Sequence, residues 1–221
     1  MEGPKGRPVI QDLFEDEARD VPLAPGAMVL GGFARRFEGP LLNALRRVVE
    51  LAPFRHMITP GGHRMSIAMT NCGTAGWVTD QTGYRYDRRD PESGRPWPPM
   101  PEVFAELARA AAARAGFDGF GPDACLINRY EPGGRLSLHQ DRNERDFEAP
   151  IVSVSLGLPA VFLFGGSRRA DTPLRVRLTH GDVVVWGGPA RLRYHGVMPL
   201  AEGHHPVMGD RRLNLTFRKA T

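Results

Sequence analysis

Residues 129–146 read RYEPGGRLSLHQDRNERD, and the expected fold follows from this stretch. After the turn sequence EPGG, Leu136 and Leu138 alternate with polar residues, which predicts a β-strand with one apolar face. Residues i and i+2 of an extended strand point to the same side, so His139 and Asp141 are expected to face one place together. Burying an imidazole beside a carboxylate is costly unless both have partners. The pair therefore indicates a functional site.

Short apolar runs fill the chain from Cys125 onward, and turn sequences such as GGSRRADTP and THGD separate many of them. The runs are CLINRY, RLSLHQ, IVSVSLGL, AVFLFGG, LRVRL, GDVVVWGG and RRLNLTFR. Such a succession is typical of a sandwich, a jelly roll or a barrel. We therefore expect this half of the chain to be mainly β.

Two helices are predicted before these strands. GPLLNALRRVVELAPF has apolar residues at helical spacing, with Pro40 in the first turn and Pro53 as a stop. PEVFAELARAAAARAG opens at Pro101 and closes at Gly116. Ahead of both, VPLAPGAMVLGGF indicates one or two strands at a domain edge.

Size and composition indicate one globular unit without a membrane span. The chain has 221 residues and a formal charge of +4, which permits contact with phosphates without requiring it. Its two cysteines, Cys72 and Cys125, form no CxxC motif, which fits a reducing cytoplasm. No apolar signal segment begins the sequence. We expect a cytoplasmic protein.

Residues 54–100 have no sustained period but carry several methionines, aromatic residues and arginines among Gly, Pro and Thr. Composition alone favours a small satellite core. The functional alternative is a loop-rich lid that stacks flat rings on aromatic faces and holds phosphates through Arg85, Arg88 and Arg89.

A third ligand is needed before His139 and Asp141 indicate a metal, and His195 in LRYHGVMPL offers one. Two histidines and one carboxylate on one face of an iron leave the opposite positions open for oxygen and a co-substrate. Spacing alone does not select His195, because other histidines compete for the place. They are His56, His63, His180, His204 and His205.

The last apolar run, RRLNLTFR, has two contrasting faces. The polar face consists of Arg212, Asn214, Thr216 and Arg218, and the other face is apolar. An edge strand with a solvated face would explain this pattern. Two guanidinium groups without an acid between them would also suit a ligand with a carboxylate at each end. Asn128 and Tyr130 in CLINRY share one face in the same way and can bond carboxylate oxygens.

Taken together, these motifs resemble the AlkB-type Fe(II)/2-oxoglutarate dioxygenases, which repair alkylated nucleobases. The resemblance rests on CLINRYEPGGRLSLHQD, APIVSVSLGLPAVFLFGG, HGDVVVWGGPARLRYHG and RRLNLTFR, with MTNCGTAGW and GYRY upstream. The motifs occur in the family's order over about residues 57–218, which makes the match highly specific.

The resemblance implies a double-stranded β-helix, or jelly roll, with flanking helices and an N-terminal nucleotide-recognition lid. The implied iron ligands are His139, Asp141 and His195. The implied 2-oxoglutarate contacts are Asn128, Tyr130, Arg212, Asn214 and Arg218. The implied substrate contacts are Met69, Trp77, Tyr84, Asn143 and Arg169. The expected division is an N-terminal extension with a scaffold helix in 1–53, the lid in 54–100, and a helix with the dioxygenase core in 101–221.

The expected activity is oxidative demethylation of bases such as 1-methyladenine and 3-methylcytosine in single-stranded DNA or RNA by a monomer. Fe(II), 2-oxoglutarate and O₂ are the implied cofactors, with formaldehyde, succinate and CO₂ as products. Close relatives carry an aspartate where this chain has Asn143, which brings no negative charge, so the preferred base stays open. The rival hypotheses are a hydroxylase of a protein or small molecule with the same chemistry, and a non-catalytic metal- or anion-binding barrel.

Overall fold

Two antiparallel β-sheets form the body of the protein in a computed structural model that describes residues 19–221. The first part of the predicted N-terminal extension, residues 1–18, lies outside the described residues. The larger sheet has seven strands, in the order β1 (Asp20–Ala24), β2 (Ala27–Leu30), β11 (Val183–Trp186), β8 (Ile151–Gly157), β13 (Arg212–Arg218), β6 (Ala124–Tyr130) and β3 (Ala68–Gly73). The smaller sheet has four, in the order β10 (Leu174–Leu178), β9 (Ala160–Phe164), β12 (His195–Val197) and β7 (Leu136–His139).

The inner faces of the two sheets pack against each other. Phe162 and Phe164 of the smaller sheet approach Trp186 of the larger one, with ring centroids 6.1 and 6.5 Å apart. Such aromatic contacts bury large apolar areas and fix the distance between the sheets. The arrangement confirms the predicted mainly β jelly roll.

The two predicted helices are present and cover the outer face of the larger sheet. They are α1 (Glu38–Leu51) and α2 (Glu102–Arg114). Phe104 of α2 meets Phe217 of β13 edge-on, with ring centroids 6.0 Å apart. The apolar stripe of each helix is buried because the sheet presents alternate apolar residues to it.

The last strand, β13, lies in the middle of the larger sheet between β8 and β6. All seven of its residues are buried, so the edge-strand interpretation with a solvated polar face is wrong. Leu213, Leu215 and Phe217 belong to the core under the helices. The polar residues of β13 therefore point between the two sheets.

A two-stranded hairpin of β4 (Gly76–Asp80) and β5 (Gly83–Asp87) stands apart from both sheets. It is part of the span predicted as the lid, whereas β3 within the same span pairs with β6 in the larger sheet. The side chain of Asn71 holds the hairpin to β3, since its amide donates to the carbonyl of Trp77 at 3.0 Å and its carbonyl accepts from the Trp77 N–H at 3.0 Å. We call β4 and β5 the lid hairpin, after this predicted role.

Neither of the two long helices within residues 19–221 has the length and apolarity needed to cross a bilayer.

Leu215→Ala is expected to lower the free energy of unfolding by about 2–5 kcal/mol, because the side chain is fully buried between β13 and the helices. Denaturant unfolding of the purified protein measures this change. Leu51→Ala is the matched control, since Leu51 is 68% exposed and its loss should stay within about 0.5 kcal/mol. Equal effects in the two variants would contradict the assigned core.

Candidate metal centre and substrate pocket

His139, Asp141 and His195 converge at one end of the space between the sheets. His139 ends β7 and His195 begins the neighbouring strand β12, where the two are Cα partners. β7 ends at His139, so the strand is shorter than predicted and Asp141 lies two residues beyond its end. The side chains of His139 and Asp141 still face the same place. The Asp141 carboxylate lies 3.7 Å from His139 Nε2 and 3.8 Å from His195 Nε2. One ligand atom from each residue fits within a 4.8 Å span.

Both imidazoles are oriented by backbone carbonyls two residues earlier in the chain. His139 Nδ1 lies 2.8 Å from the Ser137 carbonyl, and His195 Nδ1 lies 3.1 Å from the Arg193 carbonyl. A carbonyl only accepts hydrogen bonds, so each Nδ1 carries the proton and each Nε2 lone pair is free to bind a metal. Burial, reinforced by nearby His139, lowers the pKa of His195 to about 4. His195 is therefore neutral at pH 7, as a ligand must be.

Arg218 keeps the Asp141 carboxylate ionised. Its Nε and Nη2 both reach Asp141 Oδ2, at 2.8 and 2.6 Å. Burial raises the pKa of Asp141, but the charge and the hydrogen bond of Arg218 act against burial, and the pKa lies well below the ordinary range. Asp141 therefore offers a charged oxygen beside the two imidazoles.

This donor set fits Fe(II). Two imidazoles and a carboxylate on one side are the ligands of iron oxygenases that leave other positions open. Among residues 19–221 these three form the group of metal-ligating side chains that could hold an ion. Of the competing histidines, His204 pairs with Asp210 and His180 stacks on His205, away from this group. The structure thus brings together the three ligands that the resemblance implied.

A buried anion site adjoins the metal ligands. Arg212 of β13 is 1% exposed, and its Nη2 donates to Ser155 Oγ at 3.0 Å. Arg212 Nε and Nη1 and the Tyr130 hydroxyl have no hydrogen-bond partner within the described part of the chain. Burial raises the pKa of Tyr130 to about 12, so its hydroxyl stays protonated and can donate. A carboxylate would satisfy these donors, which is what one end of 2-oxoglutarate would supply.

Asn128 and Asn214 form the adjoining wall and bond to each other, Asn128 Nδ2 donating to Asn214 Oδ1 at 3.2 Å. Asn214 Nδ2 donates to Ser153 Oγ at 2.8 Å and to the Val154 carbonyl at 3.0 Å. Its amide protons are thus taken by the larger sheet. Among residues 19–221, Arg212 Nε and Nη1 and the Tyr130 hydroxyl have no partner, whereas Arg218 is engaged by Asp141. The two arginines of β13 therefore face different partners.

A cavity of about 510 Å³ joins the metal ligands, the anion site and the lid hairpin. Every residue predicted as a site residue lines it: Met69, Trp77, Tyr84, Asn128, Tyr130, His139, Asp141, Asn143, Arg169, His195, Arg212, Asn214 and Arg218. The volume is in the range of pockets for small ligands.

The open side of the cavity is aromatic. Trp77 of β4 and Tyr84 of β5 stack with ring centroids 5.8 Å apart and planes 24° apart. Trp77 Nε1 donates to Asn143 Oδ1 at 3.1 Å, which ties the lid hairpin to the loop after β7. Tyr84 is 49% exposed, so a flat ring can reach this face.

Arg85 does not have the expected free guanidinium. It binds both carboxylate oxygens of Asp80 within the lid hairpin, at 3.0 and 2.9 Å. The same contact, with hydrogen bonds from Thr82, holds the pKa of Asp80 below its ordinary range. Arg85 therefore supports the hairpin turn, and the prediction that it holds phosphate loses its basis.

Sequence reasoning missed a second group of buried charged and polar residues behind the ligands. Glu144 and Arg191 pair at 3.1 Å with side chains only 2% and 3% exposed, and Tyr86 donates to Glu144 at 2.7 Å. The charge run RNERD gave no sign of this, because alternating charges usually mark a solvated surface. Ser153 and Ser155, which support Asn214 and Arg212, were hidden in an apolar strand.

Comparisons with known proteins agree with this geometry. Residues 19–218 match the 2OG-Fe(II) oxygenase superfamily. The chain is 59% identical over 210 residues to the alpha-ketoglutarate-dependent dioxygenase AlkB of Salmonella typhimurium, covering 95% of this chain and 97% of that protein. It is 56% identical to the Escherichia coli protein of the same name, with the same coverage. The solved structure of OsALKBH1 superposes with a TM-score of 0.77 at 28% identity, covering 91% of this chain and all of that one.

His139→Ala is expected to weaken divalent-metal binding by more than the roughly 10–100-fold that loss of a supporting outer residue costs, because a ligand itself is removed. The melting temperature of the metal-free protein should hardly change, since His139 is 38% exposed. Calorimetric titration with Mn²⁺ measures the metal affinity of His139→Ala and of the control variant His204→Ala, whose side chain is 73% exposed in the wild type. Undiminished metal affinity in His139→Ala would remove it from the ligand set.

Arg212→Ala is expected to raise the KM for 2-oxoglutarate by an amount equivalent to about 2–5 kcal/mol, the usual cost of removing one partner of a buried charged pair. Steady-state succinate formation in the iron-loaded enzyme measures it. Arg175→Ala is the control, because Arg175 lies exposed on β10. An unchanged KM in Arg212→Ala would show that the carboxylate binds elsewhere.

Proposed function

Because the chain belongs to the AlkB family of the 2OG-Fe(II) oxygenase superfamily, we propose that it removes N-linked methyl groups from bases of the 1-methyladenine and 3-methylcytosine type in single-stranded DNA or RNA. It is an Fe(II)- and 2-oxoglutarate-dependent dioxygenase that demethylates nucleic acid oxidatively. The observation that carries the proposal is the shared cavity, in which three metal ligands and a buried arginine with free donors adjoin an aromatic hairpin.

Iron, 2-oxoglutarate and O₂, when bound, supply the oxidation of the N-methyl carbon, which leaves as formaldehyde while 2-oxoglutarate becomes succinate and CO₂. His139, Asp141 and His195 would hold the metal through Nε2, a carboxylate oxygen and Nε2. Arg212 and Tyr130 would hold a carboxylate of the co-substrate. The protein contributes placement of the reactants, since the cofactors carry out the difficult chemistry.

The buried position of the metal ligands requires the target base to leave its stack. Asp141 and His195 have side chains only 9% and 7% exposed, beyond the reach of a base inside a duplex. Unstacking costs a few kcal/mol, and the cost is smallest for single-stranded or already unpaired bases. Trp77 and Tyr84 lie at the open side, where they would receive the base by stacking.

Met69, Asn143 and Arg169 complete the proposed substrate side. Met69 of β3 is fully buried beneath the cavity, and Arg169 lies exposed at its rim, where a phosphate could reach it. Asn143 is held by Trp77 through its carbonyl oxygen. As a neutral amide it offers no charge to attract a cationic methylated base, so we propose that stacking contributes most to base binding here.

The rival, a hydroxylase of a protein or small molecule, shares the metal and co-substrate chemistry but has no use for a stacked aromatic hairpin over the cavity. The non-catalytic barrel has no use for two unpartnered donors of a buried arginine beside a complete ligand set. We further propose that the enzyme acts as a monomer in the cytoplasm, in keeping with its two free, buried cysteines.

Formaldehyde release tests the proposed function. The iron-loaded enzyme is expected to release formaldehyde from a single-stranded oligonucleotide with one 1-methyladenine or 3-methylcytosine, only when 2-oxoglutarate and O₂ are present. The unmethylated oligonucleotide is the control. Succinate formation without formaldehyde from any methylated strand would favour the hydroxylase rival, and neither product would favour the non-catalytic barrel.

Trp77→Ala is expected to weaken binding of the methylated oligonucleotide by about 1–3 kcal/mol, the usual cost of losing one base-stacking contact. Fluorescence anisotropy measures the binding. Succinate formation without nucleic acid should persist in the same variant, because the metal ligands and the anion site lie outside the hairpin and the bond from Tyr86 to Glu144 remains. If oligonucleotide binding, succinate formation and the melting temperature all fell together in Trp77→Ala, the lid hairpin would be part of the core instead.

A further inference from the structure

Glu144 is a buried carboxylate that the reaction described above does not use. Its side chain is 2% exposed and has three polar neighbours. The Tyr86 hydroxyl donates to Oε1 at 2.7 Å, Arg191 Nη2 donates to Oε2 at 3.1 Å, and Arg218 Nε lies 3.4 Å from Oε1. Glu144 is thus linked to one residue of the lid hairpin and to two cations of the jelly roll.

Both of these cations also hold Asp141. Arg218 binds its carboxylate through Nε and Nη2. Arg191 holds its backbone, with Nη1 donating to the Asp141 carbonyl at 3.1 Å, while Nε donates to the Ala149 carbonyl at 3.1 Å. The loop that carries the metal carboxylate is therefore fixed at both ends by arginines, and Glu144 contacts each of them.

The lid hairpin bonds to the same short loop through each of its strands. Trp77 of β4 bonds Asn143, and Tyr86 of β5 bonds the next residue, Glu144. Burial raises the pKa of Tyr86 well above its ordinary value, so its hydroxyl remains a donor at any physiological pH. A displacement of the hairpin cannot leave residues 141–144 unaffected.

We propose that Glu144 is a positioning residue through which Tyr86 of the lid hairpin sets the place of the metal ligand Asp141, by way of the shared Arg218. When the hairpin is seated, Glu144 draws Arg218 into the position in which both its Nε and Nη2 meet Asp141. When Tyr86 moves away, Glu144 loses one of its fixed contacts and the Arg218–Asp141 geometry loosens. Oxidation would then be efficient only while a bound base keeps the hairpin seated.

A purely structural role of Glu144 predicts different measurements from a positioning role. If Glu144 only neutralises Arg191, loss of the Tyr86 hydroxyl lowers stability and leaves metal affinity alone. If Glu144 positions Asp141, the same loss alters metal affinity and the yield of base oxidation per 2-oxoglutarate consumed. The linkage itself does not rest on the proposed function, whereas its effect on base oxidation does.

Tyr86→Phe removes the bond to Glu144 without changing the ring, and Tyr194→Phe is the matched control at a half-buried tyrosine outside the hairpin. We expect Mn²⁺ affinity of the metal-free protein, measured by calorimetry, to fall about 10-fold in Tyr86→Phe, at the low end for outer residues of a metal site. Tyr194→Phe should remain within about twofold of wild type by the same measure, because the polar neighbours described for Glu144 are Tyr86, Arg191 and Arg218 and do not include Tyr194.

Glu144→Gln provides a second variant that keeps the shape of the side chain. It should weaken Mn²⁺ binding at least as much as Tyr86→Phe, and the double variant should be no weaker than Glu144→Gln alone, because the two residues act through one path. With a methylated oligonucleotide, the ratio of formaldehyde to succinate should fall in both single variants and stay unchanged in Tyr194→Phe.

Wild-type Mn²⁺ affinity in Tyr86→Phe, whether or not its melting temperature falls, would overturn the proposal and leave Glu144 as a counter-ion of Arg191. Additive losses in the double variant would overturn the shared path. The metal titrations involve no nucleic acid, so failure of the proposed demethylation would appear in the formaldehyde assay of the wild type and would leave these results standing.

Discussion

The ion pair between Arg218 and Asp141 is the interaction on which the site depends. A carboxylate buried beside two imidazoles would take up a proton if no cation opposed its desolvation. Arg218 opposes it from β13 in the middle of the larger sheet, whereas Asp141 lies two residues beyond the end of β7 of the smaller sheet. The pair thus keeps the carboxylate of Asp141 ionised and joins the two sheets at the metal centre.

Apolar and polar residues alternate along β13, so one strand both completes the core and supplies Arg218 to the metal centre. Its apolar residues complete the core under the helices, and its polar residues enter the space between the sheets. Arg212 is buried there with two donors unpartnered among the described residues, and such an unsatisfied group costs about 1–3 kcal/mol. That cost is a sizeable part of a typical net stability of about 5–15 kcal/mol. A bound carboxylate would recover it, which explains why an arginine in the middle of a sheet indicates a ligand.

Most of the strands and two of the metal ligands were predictable from the sequence, because they depend on local patterns. Alternating residues predicted the strands, and the spacing of His139 and Asp141 predicted two ligands, while family motifs were needed to choose His195 among the other six histidines. The central position of β13 was not predictable from its own sequence, since two polar arginines also fit an edge strand. Its burial is decided by β8 and β6, which come from distant parts of the chain.

The burial of Glu144 is a second feature that the sequence did not predict. RNERD reads as an exposed charge run, but Tyr86 of the lid hairpin and Arg191 and Arg218 of the jelly roll surround Glu144. Arg85 shows the reverse case, because a nearby Asp80 takes the guanidinium that composition had assigned to phosphate. Glu144 and Arg191, which are 47 residues apart, pair according to tertiary packing, which local patterns do not encode.

The state of the Asp141 carboxyl group in the metal-free protein tests this account most directly. Its pKa can be followed by NMR with aspartate labelled at the carboxyl carbon, using Asp141→Asn to assign the signal. We expect a pKa well below the ordinary range of aspartate, held there by Arg218 against the effect of burial. An Arg218→Met variant should raise it. A wild-type pKa in or above the ordinary range would contradict the claim that this ion pair prepares the metal site.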